Sequence, residues 1–419
     1  MEAVKTNVIG TENVLQAAID AGADAGYFGI GKFNMRAGAG AGFSPANFAE
    51  ISGRCRERGV KTYLALNIII FEDELEEVEN IIVAARDFVD AVIVSDWGVI
   101  DICKKHGVAF HISTQMSVSN SAAVRHLAAA GASRIVLARE CTLDEVRRIA
   151  AASPVEIECF VHGAQCIAES GRCFMSQDAF GKSACRGECY QPCRRRFVIR
   201  AVDVDEDGTT PVFREQDFSF EVGAHTVLSA KDLCSISFID KLVAAGIASF
   251  KIEGRARNAN YVKYVTGAYR RAVDAVMAGN FSDALAAELI GETEKVFHRQ
   301  FAHGMYFGRP GVDQFTSCEN SLSTTVKREI GIVENYFSKA GVAQIKIRNH
   351  DIAVGDEIQI HGPSTGVVEL KVEALMRDDE VLRRASRGEW VTTKTPKCRA
   401  GDKVYYVETL EDKARGRSR

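Results

Sequence analysis

Residues 133–163 read SRIVLARECTLDEVRRIAAASPVEIECFVHG, and this stretch decides the fold. SRIVLARE, from Ser133, is a short β-branched apolar run. LDEVRRIAAAS is amphipathic at helical spacing, and VEIECFVHG, from Val155, is a second apolar run. Strand, helix and strand in that order form a βαβ unit, which lays its two strands parallel in one sheet. The same alternation extends in both directions. Further strand-like runs are AGYFGI from Ala25, VKTYLALN from Val60, DAVIVSD from Asp90, VAFHIST from Val108 and ASFKIEG from Ala248, with amphipathic stretches such as SPANFAEISGRCRERG between them. An eighth, weaker run lies near Lys5–Ile9. Eight such strands predict a TIM-like (β/α)8 barrel over residues 1–310. A doubly wound open sheet is the alternative, weakened because no Gly-rich dinucleotide fingerprint follows the first strand.

In a barrel of this kind chemistry sits at the C-terminal ends of the strands. That rule selects Asn67, Asp96, Ser113, Thr114, Gln115, Arg139, Glu140, His162, Lys251, Ile252 and Glu253. The alternation breaks over residues 163–228, a cysteine-rich insertion that ends in an acidic loop, AVDVDEDGTT. From about residue 325 to 410 the texture changes. VAQIKIRN, GDEIQIHG, VVELKVEAL and GDKVYYVE alternate apolar and polar residues around Gly-Asp turns. They predict a small C-terminal β-barrel domain.

The chain has 419 residues, 46% hydrophobic and 26% charged, which fits a globular protein and not a disordered or fibrous one. A net charge of −4 excludes a protein that is cationic overall, so any RNA contact needs a local basic patch. No run of eighteen apolar residues occurs and the N-terminus lacks an apolar signal core, so a cytoplasmic protein with no membrane span is expected.

In such a compartment twelve cysteines point to metal or iron–sulfur ligation, not to disulfides. Six residues separate Cys166 from Cys173, fifteen separate Cys173 from Cys189, and three separate Cys189 from Cys193. Four thiolates close around a 4Fe–4S cube. Zinc takes the same four sulfurs, but structural zinc sites use tight pairs, and only Cys189/Cys193 is one; the spacing leans toward iron–sulfur. Arg172, Arg186 and Arg194–Arg196 would offset thiolate charge. Cys185 and Cys234 are rival ligands. Cys159 reads as core, and Cys55, Cys103, Cys141, Cys318 and Cys398 as structural.

Beside the cysteines stand further candidates. His111 and Gln115 close the HISTQ strand end, where Gln115 and Thr114 suit a small ligand or a nucleobase edge; a barrel-wall place is the plainer reading of His111. His162 precedes the cysteine loop as a donor to cluster sulfur or an acid/base group. Lys251, Glu253 and Arg255 alternate in KIEGR, so all three share one strand face and suit a small anionic substrate. The plainer reading is a salt-bridge network under the barrel mouth. Arg36, Arg139 and Glu140 are weaker cases of the same kind. Arg194–Arg196 and Arg257 are candidates for phosphate contact. Neither His-Glu-x-x-His nor Gly-x-Ser-x-Gly occurs, so hydrolytic motifs give proteolysis little support.

The segment ECFVHGAQCIAESGRCFMS, Glu158–Ser176, resembles the signature of the collagenase-like peptidase family U32. DAGADAGYFGIGKFNMRA, HISTQMSVSN, RIVLARE, SAKDLC, SFKIEGRARNANYV and FHRQFAHGMYFG resemble its other blocks, together covering roughly residues 10–310. The resemblance implies a choice of activities. The family was named for proteolysis, whereas other members resemble oxygen-independent or prephenate-dependent systems that hydroxylate tRNA uridine, ribosomal RNA cytidine or the ubiquinone ring. It implies a 4Fe–4S cluster on Cys166, Cys173, Cys189 and Cys193, with Cys234 as the rival to Cys193. It also implies an RNA partner, an electron donor and prephenate as a co-substrate. Two departures stand out: AVKTNVIGTEN replaces the family's Leu-Leu-Ala-Pro-Ala-Gly strand, and Arg195 and Arg196 follow Arg194 where the family has an aromatic. The expected function is iron–sulfur-dependent RNA hydroxylation, with a peptidase and a zinc-bearing scaffold as alternatives.

Overall fold

A computed structural model describes residues 4–7, 12–35, 37, 43–195, 197, 203–204, 211–212, 228–254, 257–316, 318 and 320–410. Eight strands of its main sheet build a ring: β1 (Val4–Asn7), β2 (Ala25–Gly29), β3 (Lys61–Leu66), β4 (Ala91–Val94), β5 (Phe110–Ile112), β6 (Arg134–Val136), β7 (Glu156–Gly163) and β8 (Ser249–Ile252). From β1 to β7 each pairs in parallel with the next. β8 pairs in parallel with both β7 and β1, so the eight form a ring. The weak N-terminal run is thus a four-residue strand paired on both sides.

Burial explains why the strands are short and mainly apolar. All four residues of β4 and all three of β6 are buried, as parallel strands covered on both faces must be. Inside the ring, Ala25, Tyr27, Tyr63, Ala65, Ala91 and Ile93 form one small cluster. Outside it, helices cover the sheet. Helix Leu143–Ala151 shows how the sequence builds them. The Thr142 side chain accepts from the Glu145 amide, the Glu145 carboxylate accepts from Thr142 N at 2.7 Å, and Leu143, Val146 and Ile149 turn inward.

After Gly163 the chain leaves the ring into the insertion, which holds a short helix, Met175–Phe180. It returns as a strand, Asp232–Cys234, antiparallel to the end of β7, against which Phe301–Ala302 adds in parallel. The C-terminal part is an antiparallel domain with its own core, including Ile330, Val333, Ile345, Ile358, Ile360, Val391 and Val404. It docks on the outer helices: Lys263 donates to the Val367 carbonyl at 3.1 Å, and the Tyr264 hydroxyl to Glu369 at 2.6 Å. Among the described residues no helix is long and apolar enough to cross a membrane.

Candidate functional site at the C-terminal mouth of the ring

The C-terminal ends of the strands open into a cavity of about 100 Å³ lined by Asn67, Gln115, Arg139, Lys251 and Glu253, and by Cys166, Cys173, Cys189 and Cys193. Two glycines let the insertion fold back over the ring. Gly163 has φ +116°, and a Cβ there would meet Glu253 Cβ at 2.7 Å and its carbonyl oxygen at 2.9 Å. Gly171 has φ +79°, and a Cβ there would meet Met35 Cε at 2.1 Å. Three arginines then fasten the loop. Arg172 donates to the Gln115 carbonyl at 2.9 Å, Arg186 to Glu74 at 2.8 Å, and Arg194 to the Gln165 carbonyl at 2.6 Å and Ser229 Oγ at 3.1 Å.

The four thiols belong to one electrostatic group. Burial pushes the Cys193 thiol up; Arg194 opposes this, and Cys166, Cys189 and Cys173 each push it further. Among the described residues no three His, Cys, Asp or Glu side chains already stand at the spacing of a bound metal ion. The donor set still fits an iron–sulfur cluster: four soft sulfurs line one cavity, on a loop held by cations.

Below the thiols, the cavity floor is a buried charge network. Lys251 Nζ lies 3.0 Å from Glu158 Oε1 and 4.2 Å from the centre of the Tyr27 ring. Ser249 Oγ donates to the same carboxylate at 3.0 Å, and Arg134 approaches it at 3.7 Å. Burial alone would raise the Glu158 carboxyl, but Lys251, Arg134 and His111 hold it below its ordinary value. Glu253 faces Arg139 at 3.9 Å, and the Arg139 guanidinium stacks 3.8 Å from the centre of the Phe160 ring.

Several expected site residues are elsewhere. His111 faces the interior, but in the layer toward the opposite mouth, 4.7 Å from the Tyr63 ring, and lines a separate cavity with Lys61, Asp90 and Arg134. His162 does not face the cysteines. β8 pairs Lys251 with Phe160 but Ile252 with His162, so a bulge absorbs Val161 and turns His162 to the outer face. There it packs against Tyr261, Tyr269 and Phe301, its Nδ1 has no hydrogen-bond partner, and burial pulls its value down to about 3. Cys234 is also behind the sheet. It pairs in register with His162, its sulfur lies 3.9 Å from the Tyr269 hydroxyl, and it does not line the cavity that Cys193 lines. Cys185 donates to the Gly171 carbonyl at 3.4 Å and lines a neighbouring cleft.

Arg194 is buried and Arg257 stacks 3.8 Å from the centre of the Phe297 ring, so neither is a surface phosphate contact. Thr114 spends its hydroxyl on the Leu137 carbonyl at 3.1 Å. Asp96 caps the helix Trp97–Lys105. Arg36, Arg196 and Arg255 lie outside the described residues. Sequence reasoning missed Glu158 as the partner of Lys251. The signal was present: Glu158 and Phe160 sit two apart in β7, so both share its interior face.

The chain matches the profile of Peptidase family U32 over residues 10–316. It is 35% identical to a protein named "Collagenase" from Porphyromonas gingivalis, across 96% of this chain and 97% of the relative. It is 32% identical to "tRNA hydroxylation protein P1" of Bacillus subtilis, across 87% and 85%. A 23S rRNA 5-hydroxycytidine synthase of Escherichia coli is 34% identical across 68% of this chain and 42% of that one.

Proposed function

The chain belongs to peptidase family U32, and from that premise we propose that it is an iron–sulfur-dependent enzyme that hydroxylates tRNA or ribosomal RNA. One observation carries the reading: Cys166, Cys173, Cys189 and Cys193 line the same cavity as the polar strand ends Gln115, Arg139, Lys251 and Glu253. Relatives named for tRNA and rRNA hydroxylation support the substrate class. The four cysteines would hold a 4Fe–4S cluster, which supplies one-electron transfer beside the substrate.

The rest of the site binds and orients. A small dianionic co-substrate such as prephenate would meet cations from two strand ends, Lys251 on β8 and Arg139 after β6. Glu158 fixes the Lys251 ammonium in place, so this charge is oriented before any ligand arrives. Phe160 and Tyr27 give the floor an apolar surface that excludes water from the bound anion. Gln115 offers an amide, both donor and acceptor, at the cavity wall.

The test is nucleoside mass spectrometry of tRNA and rRNA from cells lacking the gene, complemented with the native chain or with Cys166→Ala/Cys189→Ala. A hydroxylated pyrimidine should disappear on deletion and return only with the native chain. Identical nucleosides in all strains would contradict the proposal. The peptidase reading rests on the relative named "Collagenase". Among the described residues lining the cavity there is no histidine to serve a cysteine nucleophile. Gelatin cleavage by metal-replete protein that is lost in Glu253→Gln would favour that reading. One zinc per chain without sulfide would favour a scaffold.

A further inference from the structure

Beside the cysteine cavity lies a second cleft of about 430 Å³, whose wall of Met35, Asn67 and Gln115 is common to both. Its outer rim is Phe174, whose side chain is 80% exposed, and Ile69, which is 52% exposed. Phe174 has no aromatic or cationic partner among the described residues, and with Ile69 it forms an apolar rim that a ligand in the cleft would cover. The Gln115 side-chain amide makes no hydrogen bond to a described residue and lies between the two cavities, next to Gly171. Asn67, by contrast, is committed: its Nδ2 donates to Ser113 Oγ at 3.1 Å.

Further rings and guanidinium groups lie on the insertion that carries Phe174 and on the segment it is fastened to. Arg172 is roughly half exposed, is held by the Gln115 carbonyl at 2.9 Å and has Glu169 3.7 Å away. Arg186, whose charge is matched by Glu74 at 2.8 Å, sits 4.6 Å from the centre of the half-exposed Phe71 ring and holds it in place. Arg195 sits 5.0 Å from the centre of Phe180, which packs on Tyr190 at 5.7 Å. Aromatic faces interleaved with cations are what a single strand of nucleic acid requires: rings for its bases and positive charge for its phosphates.

We infer that this cleft takes one unstacked nucleobase of an RNA strand. Its face stacks on Phe174, its edge meets the Gln115 amide, and the flanking backbone follows Arg172 and Arg195. Such a base would present one edge across the shared wall to the cysteine cavity. A modifying enzyme must take its target base out of the stack in this way to reach it. The inference rests on the RNA reading above and adds to it the place where the base sits.

The experiment is fluorescence anisotropy with a fluorescein-labelled, random-sequence ten-nucleotide RNA. It uses protein purified with its own metal centre, as native, Phe174→Ala and Phe174→Trp. Binding should weaken about tenfold in Phe174→Ala and be kept in Phe174→Trp, with iron content equal in all three. Equal affinity of native and Phe174→Ala would overturn the cleft while leaving the RNA reading in place. No RNA binding by the native chain would overturn both. A gelatin-derived peptide that displaces the RNA from the native chain, and itself needs Phe174, would assign the cleft to peptide instead.

Discussion

The two mouths of the parallel ring are both polar, yet they are built differently. At the N-terminal mouth charges are matched within the protein: Arg134 donates to Glu156 through Nε at 2.7 Å and lies against Glu158, while His111 packs on Tyr63. At the C-terminal mouth four thiols share one cavity, and the cations near them fasten the loop that carries them. One mouth is satisfied by its own residues; the other gathers soft ligands that suit an added group. Glu158 joins the two, since it touches Lys251 on one side and Arg134 on the other. The contrast follows the barrel rule that chemistry collects at the C-terminal ends and stability at the N-terminal ends.

The strongest way to break this comparison is to strip the C-terminal mouth of ligands. Cys166→Ala/Cys189→Ala should lose all bound iron, measured by metal analysis, whereas His111→Phe at the other mouth should keep it. Iron retained in the double variant would end the asymmetry.

Removing the residue that joins the mouths comes next. Glu158→Ala leaves Lys251 and Arg134 buried beside a missing partner and should destabilise the fold by about 3–5 kcal/mol in denaturant titration. A loss below about 1 kcal/mol would show that water reaches this network.

A smaller effect is expected where the loop leaves the ring. Gly163→Ala puts a methyl group against the Glu253 backbone at positive φ, and should cost about 1–3 kcal/mol and reduce modification activity. Full stability and activity would mean that the Glu253 strand end yields.

The smallest effect near neutral pH separates His162 from the chemistry. Burial, with Arg257 and His298 nearby, pulls its value from 6.5 to about 3. The folded state therefore binds no proton there, while the unfolded state does below pH 6.5. Its contribution is complete above pH 6.5 and is lost as pH falls toward 3, at about 1.4 kcal/mol per pH unit. His162→Phe should remove that slope from the stability curve and leave the pH profile of activity unchanged. A shifted activity profile would return His162 to the site.

What the sequence revealed and what it hid have physical reasons. The strands were legible because parallel strands buried on both faces must be mostly apolar, as AVIV of β4 is. The β-rich C-terminal part was legible through its period of two, as in VAQIKI of Val342–Ile347. The four cysteines that share the cavity stood out by clustering alone. His162 misled, and His111 took the barrel-wall place that was its plainer reading. His111 lies on an inward face, but sequence does not say which interior layer a residue occupies. His162 is two residues from Phe160, and only pairing with β8 reveals the bulge that reverses its side. Cys234 was hidden likewise, because its antiparallel pairing with the end of β7 is a long-range contact. Lys251 was read as facing a ligand, and its partner Glu158 lies ninety-three positions away on a neighbouring strand.

The central claim is that the C-terminal mouth holds an iron–sulfur cluster. Iron, zinc and acid-labile sulfide per chain, measured on anaerobically purified protein, test it most directly. The account predicts about four irons and four sulfides per native chain and none in the Cys166→Ala/Cys189→Ala variant. One zinc with no sulfide, unchanged in that variant, would contradict it.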